Sequence, residues 1–85
     1  MDRNSILLEL KKVVAPFTED KEALENLNEN TNLLSDLKIN SANLVDIIIE
    51  AEYQYKIEID NDSAEKMITV KDCIDVILSK LNPSA

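Results

Sequence analysis

The sequence predicts an all-α fold: a small bundle of four helices, three long and one short, with a long loop after the first. Three observations predict it. Apolar residues recur at three- and four-residue intervals in separate stretches of the chain. Gly is absent and only two Pro occur in 85 residues, so a sheet with many tight turns lacks the residues to build them. Hydrophobic residues make up 45% of the chain, enough for one thin core and too many for wholesale disorder. Asn26, Asn28, Asn30, Asn32, Asn40 and Asn61 can take the occasional left-handed loop position that Gly usually fills. One domain spans 1–81, and residues 82–85, NPSA, read as a frayed tail.

In NSILLELKKVVAPF the residues Ile6, Leu7, Leu10, Val13, Val14 and Phe17 share a helical face, with Asn4 as cap and Pro16 as stop. From Thr18 to Asn40 the pattern loosens. Leu24, Leu27, Leu33, Leu34, Leu37 and Ile39 punctuate a polar stretch and are expected to pin it across the bundle, and EDKEALENL can add a helical turn or two. A second helix is expected from Ser41 to Tyr55. KIEID follows as an extended connector with Ile57 and Ile59 inward, then NDSAEKM as a short helix capped by Asp62 or Asn61. Thr69 to Asp72 has the spacing of a capping box. It opens a last helix whose face is Val70, Cys73, Ile74, Ile77, Leu78 and Leu81.

The second helix carries more apolar side chains than one core stripe needs. At about 100° per residue, Leu44, Ile47, Ile48, Ala51 and Tyr55 share a face. Ala42, Val45 and Ile49 form a neighbouring stripe beside Ser41, bordered by Asp46, Glu50 and Tyr53. Two readings stand at this point. The stripe is an open docking surface rimmed by acids, or the long loop folds over it and covers it. Ser41 itself reads either as a helix cap, since NS is a common pair at a helix start, or as a functional hydroxyl.

Charge and composition exclude several classes. A net charge of −8 with no basic stripe argues against nucleic acid and against anionic membranes, and favours a basic protein partner. No stretch is long enough to span a membrane, and no signal-peptide pattern is read at the start. A lone Cys cannot form an internal disulfide, so a monomer in the reducing cytoplasm is the expectation, with Cys73 as a small core residue. The absence of His and Gly removes ordinary zinc sets, the usual catalytic triads and P-loops. DNDSAEKMITVK, from Asp60, lacks the Gly and the final Glu of a calcium loop. Neither a catalytic residue nor a metal site is expected.

Residues 36–77, DLKINSANLVDIIIEAEYQYKIEIDNDSAEKMITVKDCIDVI, resemble the acyl carrier proteins. That family reads D-L-G-x-D-S-L, an acidic amphipathic helix, an I-E-I connector, an A-E-K-[IM] short helix and T-V-x-D-[AC]. The resemblance implies that Ser41, flanked by Asn40, bears a 4'-phosphopantetheine arm made from coenzyme A by a separate phosphopantetheinyl transferase. It implies docking through Ala42, Val45, Asp46, Ile49 and Glu50 to acyl-loading, ketosynthase or acyltransferase enzymes with basic surfaces. It also implies that the bundle shelters an acyl chain, with Ile48, Ala51, Tyr55, Ile57, Ile59 and Ile74 as lining. About six buried methylenes would contribute nearly ~5 kcal/mol.

The chain departs from the pattern in four places. Lys38 stands where Gly is usual, Asn40 where Asp is, and Ala42 where Leu is. The second helix is also less acidic, with Asn43 and Tyr53 at positions often acidic in the family. These changes point to a specialised carrier for a lipid, polyketide or resorcinol-type pathway. Peptidyl carriers, with G-G-x-S, fit less well. The rival from another class is an unmodified adapter that keeps the fold and only binds a protein through its second helix.

Overall fold

The computed structural model describes residues 2–81; the tail expected at 82–85 lies outside them. Its elements are α1 (Arg3–Val14), a 3-10 turn (Ala15–Phe17), α2 (Lys21–Glu25), α3 (Ser41–Tyr55), α4 (Asn61–Glu65) and α5 (Val70–Leu81). The three long helices pack pairwise, α1 on α3 and α5, and α3 on α5. The architecture is the all-α bundle of the sequence reading, and α2 is the helical turn that EDKEALENL was expected to add to the long loop.

Periodicity explains each inward face. α1 buries Ile6, Leu10 and Val14; α3 buries Ile47, Ile48, Ala51 and Tyr55; α5 buries Val70, Cys73, Ile74 and Ile77. Leu7, Val13, Leu44, Leu78 and Leu81 pack around them half-buried. Each fully buried Leu or Ile contributes roughly 1.5–3 kcal/mol. Met67, just after α4, is also wholly buried although no periodic pattern singles it out.

The loop is pinned as its apolar spacing suggests. Leu33, Leu37 and Ile39 are buried, Leu24 and Leu27 are half-buried, and Leu34 departs from the expectation by facing solvent. The reason is a tight turn at Asn32, whose side-chain oxygen accepts the N–H groups of Leu34 and Ser35, both at 2.9 Å. That turn sends Leu33 and Leu37 inward and leaves Leu34 at its tip. The loop is stitched to the start of α5: Leu33 N–H donates to Ile68 C=O at 2.9 Å and Val70 N–H to Thr31 C=O at 3.0 Å. Arg3 adds a clamp, its guanidinium donating to Asp75 at 2.7 Å and to the Glu29 carboxylate.

Two caps differ from the sequence reading. Asp2, not Asn4, caps α1, accepting Ser5 N–H at 2.8 Å; a carboxylate there also complements the helix dipole. Asp60, not Asn61 or Asp62, occupies the cap of α4. Its carboxylate accepts from Ser63 Oγ at 2.7 Å and Lys80 Nζ at 3.0 Å, tying α4 to the end of α5. The capping box of α5 forms as its spacing predicts: Asp72 N–H donates to Thr69 Oγ at 3.2 Å, and Thr69 N–H to the Asp72 carboxylate at 3.0 Å. The Thr69 N–H donated to it holds the Asp72 carboxyl below its ordinary pKa.

Candidate functional site: the mouth and open face of α3

Asn40 makes the mouth of α3. Its backbone is extended (φ −78°, ψ 162°), and its side-chain oxygen accepts Asn43 N–H at 2.8 Å. Ser41 is therefore the first helical residue and not the cap, and it is exposed. The cap satisfies one first-turn donor, while the N–H groups of Ser41 and Ala42 have no acceptor within the helix. They lie at the positive end of a helix of 15 residues.

The approach to Asn40 is fixed from behind. Ile39 is buried, and its N–H donates to Leu33 C=O at 3.2 Å. Thr18 Oγ donates to Leu37 C=O at 2.7 Å, joining the end of the 3-10 turn to this strand of loop. Between them Lys38 sits in the left-handed region at φ 56°. A residue with a Cβ pays roughly 1–2 kcal/mol there, which is the physical reason the related motif has Gly. Lys38 Nζ reaches to 3.8 Å from the Asp20 carboxylate. Lys38, Asn40 and Asn43 share a cleft of ≈260 Å³ with Phe17, Glu19 and Asp20. Sequence reasoning flagged Lys38 as unusual but had no signal for the cleft, since Phe17 and Asp20 are distant in the chain.

The outer stripe of α3 stays open. Val45 is 55% exposed, Ile49 53% and Tyr53 86%, whereas Ile47, on the opposite side of the helix, is 1% exposed. Ala42, Asp46 and Glu50 are exposed too. The long loop does not fold over this face. Across residues 41–55 the charged side chains are Asp46, Glu50 and Glu52, with no Lys or Arg. Behind Glu50 lies a second, shallower cleft, bounded by Lys12, Val13, Pro16, Phe17 and Gln54.

The inward residues of the reading gather in one place. Ile48, Ala51, Tyr55 and Ile74 are core, and Ile57 and Ile59 pack half-buried against it. The Tyr55 hydroxyl donates to the Glu9 carboxylate, which also accepts from Gln54 Nε2 at 3.2 Å. Burial first, and the Glu9 carboxylate second, raise the phenol's pKa well above its ordinary value. The sequence alone did not pair Tyr55 with Glu9. Cys73 lies deep in the core, where burial pushes its thiol up to about 12. Among the described residues no group of His, Cys, Asp and Glu could hold a metal ion, and no helix is long and apolar enough to cross a membrane.

No family model matches the chain. It is 37% identical over 76 residues to an acyl carrier protein of Desulforapulum autotrophicum, an alignment covering 89% of this chain and 97% of that one. The chain belongs to the acyl carrier protein family. An acyl carrier protein of Lactobacillus acidophilus is 36% identical over 93% of this carrier and 96% of its own length. The solved structure of the acyl carrier protein of Enterococcus faecalis superposes with a TM-score of 0.76 at 25% identity, over 94% of this chain and 99% of that one. The protein is thus a carrier and not an enzyme. Carriers of this family generally bear phosphopantetheine, and the mouth of α3 fits its phosphodiester. The exposed start of α3 offers an anion its first-turn N–H groups and the positive end of the helix.

Proposed function

We propose that this carrier holds acyl groups on a 4'-phosphopantetheine arm joined to Ser41 Oγ and serves a dedicated lipid, polyketide or resorcinol-type pathway. When bound, the arm supplies a terminal thiol that holds acyl groups as thioesters. The chain's own residues do the rest. Asn40 fixes the first turn of α3 with Ser41 exposed, where a transferase can reach it. The first-turn N–H groups stabilise the phosphodiester's charge.

The observation that carries the reading is the bare hydroxyl of Ser41 at the start of a helix whose outer stripe is also bare. Ala42, Val45 and Ile49 are the apolar contacts for a visiting enzyme, and Asp46 and Glu50 its charge contacts. A partner whose surface is basic around an apolar groove fits this row, and opposite fields raise the encounter rate. Partners of that kind are a phosphopantetheinyl transferase and ketosynthase- or acyltransferase-type enzymes. Ile48, Ala51, Tyr55, Ile57, Ile59 and Ile74 are the candidates for contact with an acyl chain drawn into the bundle. Lys38, Asn40, Ala42, Asn43 and Tyr53 together replace acids, a Leu and a Gly of the general pattern, which supports a narrow set of partners working with a cytoplasmic monomer.

Intact mass tests the reading. Incubated with coenzyme A and a broad-specificity phosphopantetheinyl transferase, the protein gains one arm and Ser41→Ala gains none. No gain by the wild type, under conditions that modify a control carrier, would favour the adapter that works through α3 without a prosthetic group.

A further inference from the structure

We propose that Tyr53 is the anchor by which this carrier selects its partner, seating an arginine side chain of a basic enzyme on its ring beside Glu50. The inference deepens the reading of α3 as a docking face and rests on it. Tyr53 follows Val45 and Ile49 at steps of four residues, so these side chains make one row down the helix from Ser41. From Ser41 to Tyr53 the row runs about 18 Å. Tyr53 is its most open apolar side chain, at 86% exposure. Phe17 and Tyr55, the other aromatic residues of the chain, serve packing instead. Phe17 lies half-buried against the core, and Tyr55 is buried with its hydroxyl on Glu9. Tyr53 makes no such bond among the described residues.

The charges around Tyr53 choose the partner. Ile49 and Glu50 stand four and three residues before it, and residues so spaced are neighbours on a helix surface. Asp46 lies one turn before Glu50 on the same side. Asp46 and Glu50 are exposed, and neither forms an ion pair among the described residues. Glu52 is already engaged, its carboxylate accepting Ile59 N–H at 2.8 Å. Lys56, the first cation after the row, lies past the last helical residue. An open ring with an unpaired carboxylate and an Ile beside it matches the parts of an arginine. The planar guanidinium stacks on the ring and donates to the carboxylate, while the aliphatic stem lies along Ile49. A lysine ammonium is a strongly hydrated point charge and gains less from the ring. A second copy of this chain fits poorly, because two faces that each carry Asp46 and Glu50 repel in a protein of net charge −8.

The test titrates wild type, Tyr53→Ala and Tyr53→Phe with three amphipathic helical peptides that share one leucine face, flanked by Arg, by Lys or by Glu. Amide shifts in the NMR spectrum of the labelled protein give the binding face and the Kd. The Arg peptide shifts the signals of the row from Val45 to Gln54, and the Glu peptide does not bind. Tyr53→Ala weakens the Arg peptide by about 3–30-fold, whereas Tyr53→Phe, which keeps the ring, stays within about twofold. Wild type prefers the Arg to the Lys peptide, and Tyr53→Ala loses that preference. Because Tyr53 is exposed, melting midpoints of both variants stay within about 4 °C of wild type, which separates lost recognition from lost fold. Equal affinities of wild type and Tyr53→Ala, or no preference for Arg in wild type, overturn the anchor and leave the docking row standing. A concentration-dependent dimer that Tyr53→Ala abolishes overturns it in favour of a second copy. No binding by the Arg peptide, or shifts confined to another face, overturns the docking row together with the anchor.

Discussion

Two substitutions on α3, Ile47→Ala and Val45→Glu, should separate folding from docking. Ile47 is 1% exposed and touches the core between α1 and α5; Val45, half a turn away, is 55% exposed. Truncating a buried Ile to Ala removes its transfer energy and leaves a cavity, a loss of about 3 kcal/mol. For a domain of this size that lowers the melting midpoint by about 12–24 °C. Val45→Glu removes little buried surface and replaces a β-branched residue by a better helix former, so its effect stays within about 0.5 kcal/mol, or about 2–4 °C. Recognition runs the other way. Placing a charge in the middle of an apolar contact row costs at least about 1.4 kcal/mol, a tenfold loss in kcat/KM for arm transfer. Ile47→Ala, measured well below its own midpoint, loses much less. Thermal melts followed by circular dichroism and initial rates of transferase modification give both axes. Comparable melting losses for the two variants, or unchanged transfer for Val45→Glu, would refute the division of α3 into a buried and a recognising face.

Three further outcomes follow from the core and the caps. The Cys73 thiol is raised from 9.0 to about 12 by burial, so its contribution to stability is whole below about pH 9 and is lost as pH climbs to 12. Denaturant midpoints should therefore fall across that window at up to ~1.4 kcal/mol per pH unit from this group, and Cys73→Ala should flatten the fall. Asp72→Ala removes the capping-box carboxylate and costs about 1 kcal/mol at neutral pH. Because the Asp72 carboxyl is held below its ordinary value, the wild-type advantage exists above about pH 4 and shrinks as pH falls through the folded-state value. Lys56, the left-handed residue that ends α3 at φ 55°, should gain about 0.5–1 kcal/mol on replacement by Gly, read as a higher melting midpoint.

The parts of this fold that were legible in the sequence are those that local chemistry fixes. The span Ser41–Tyr55, the Thr69–Asp72 box and the inward rows of α1 and α5 follow from periodicity and cap spacing. The open stripe of α3 was half legible. Two apolar rows on one helix demanded either a cover or an exposed surface, and only the path of residues 18–40 could decide which. That path depends on contacts between distant residues: Leu33 with Ile68, Thr31 with Val70, and Arg3 with Glu29 and Asp75. Nothing periodic announces them. Met67 was missed for the same reason, a single apolar residue after a one-turn helix. The caps at Asp2 and Asp60 were misplaced because several Asx residues crowd each start, and the winner is set by which backbone is extended. At the site itself, the start of α3 at Ser41 could be read from the sequence, while the choice of Asn40 as its cap and the Lys38 cleft needed the path of the loop and the 3-10 turn brought beside α3.

The central claim is that a single serine hydroxyl tethers the cargo arm, and the most direct measurement is peptide-level mass spectrometry of the protein taken from the cells that make it. The account expects the phosphopantetheine mass on the peptide containing Ser41, and on no other serine. Protein that performs its cellular role with that peptide unmodified, or with the added mass on Ser5, Ser35, Ser63, Ser79 or Ser84, would contradict it.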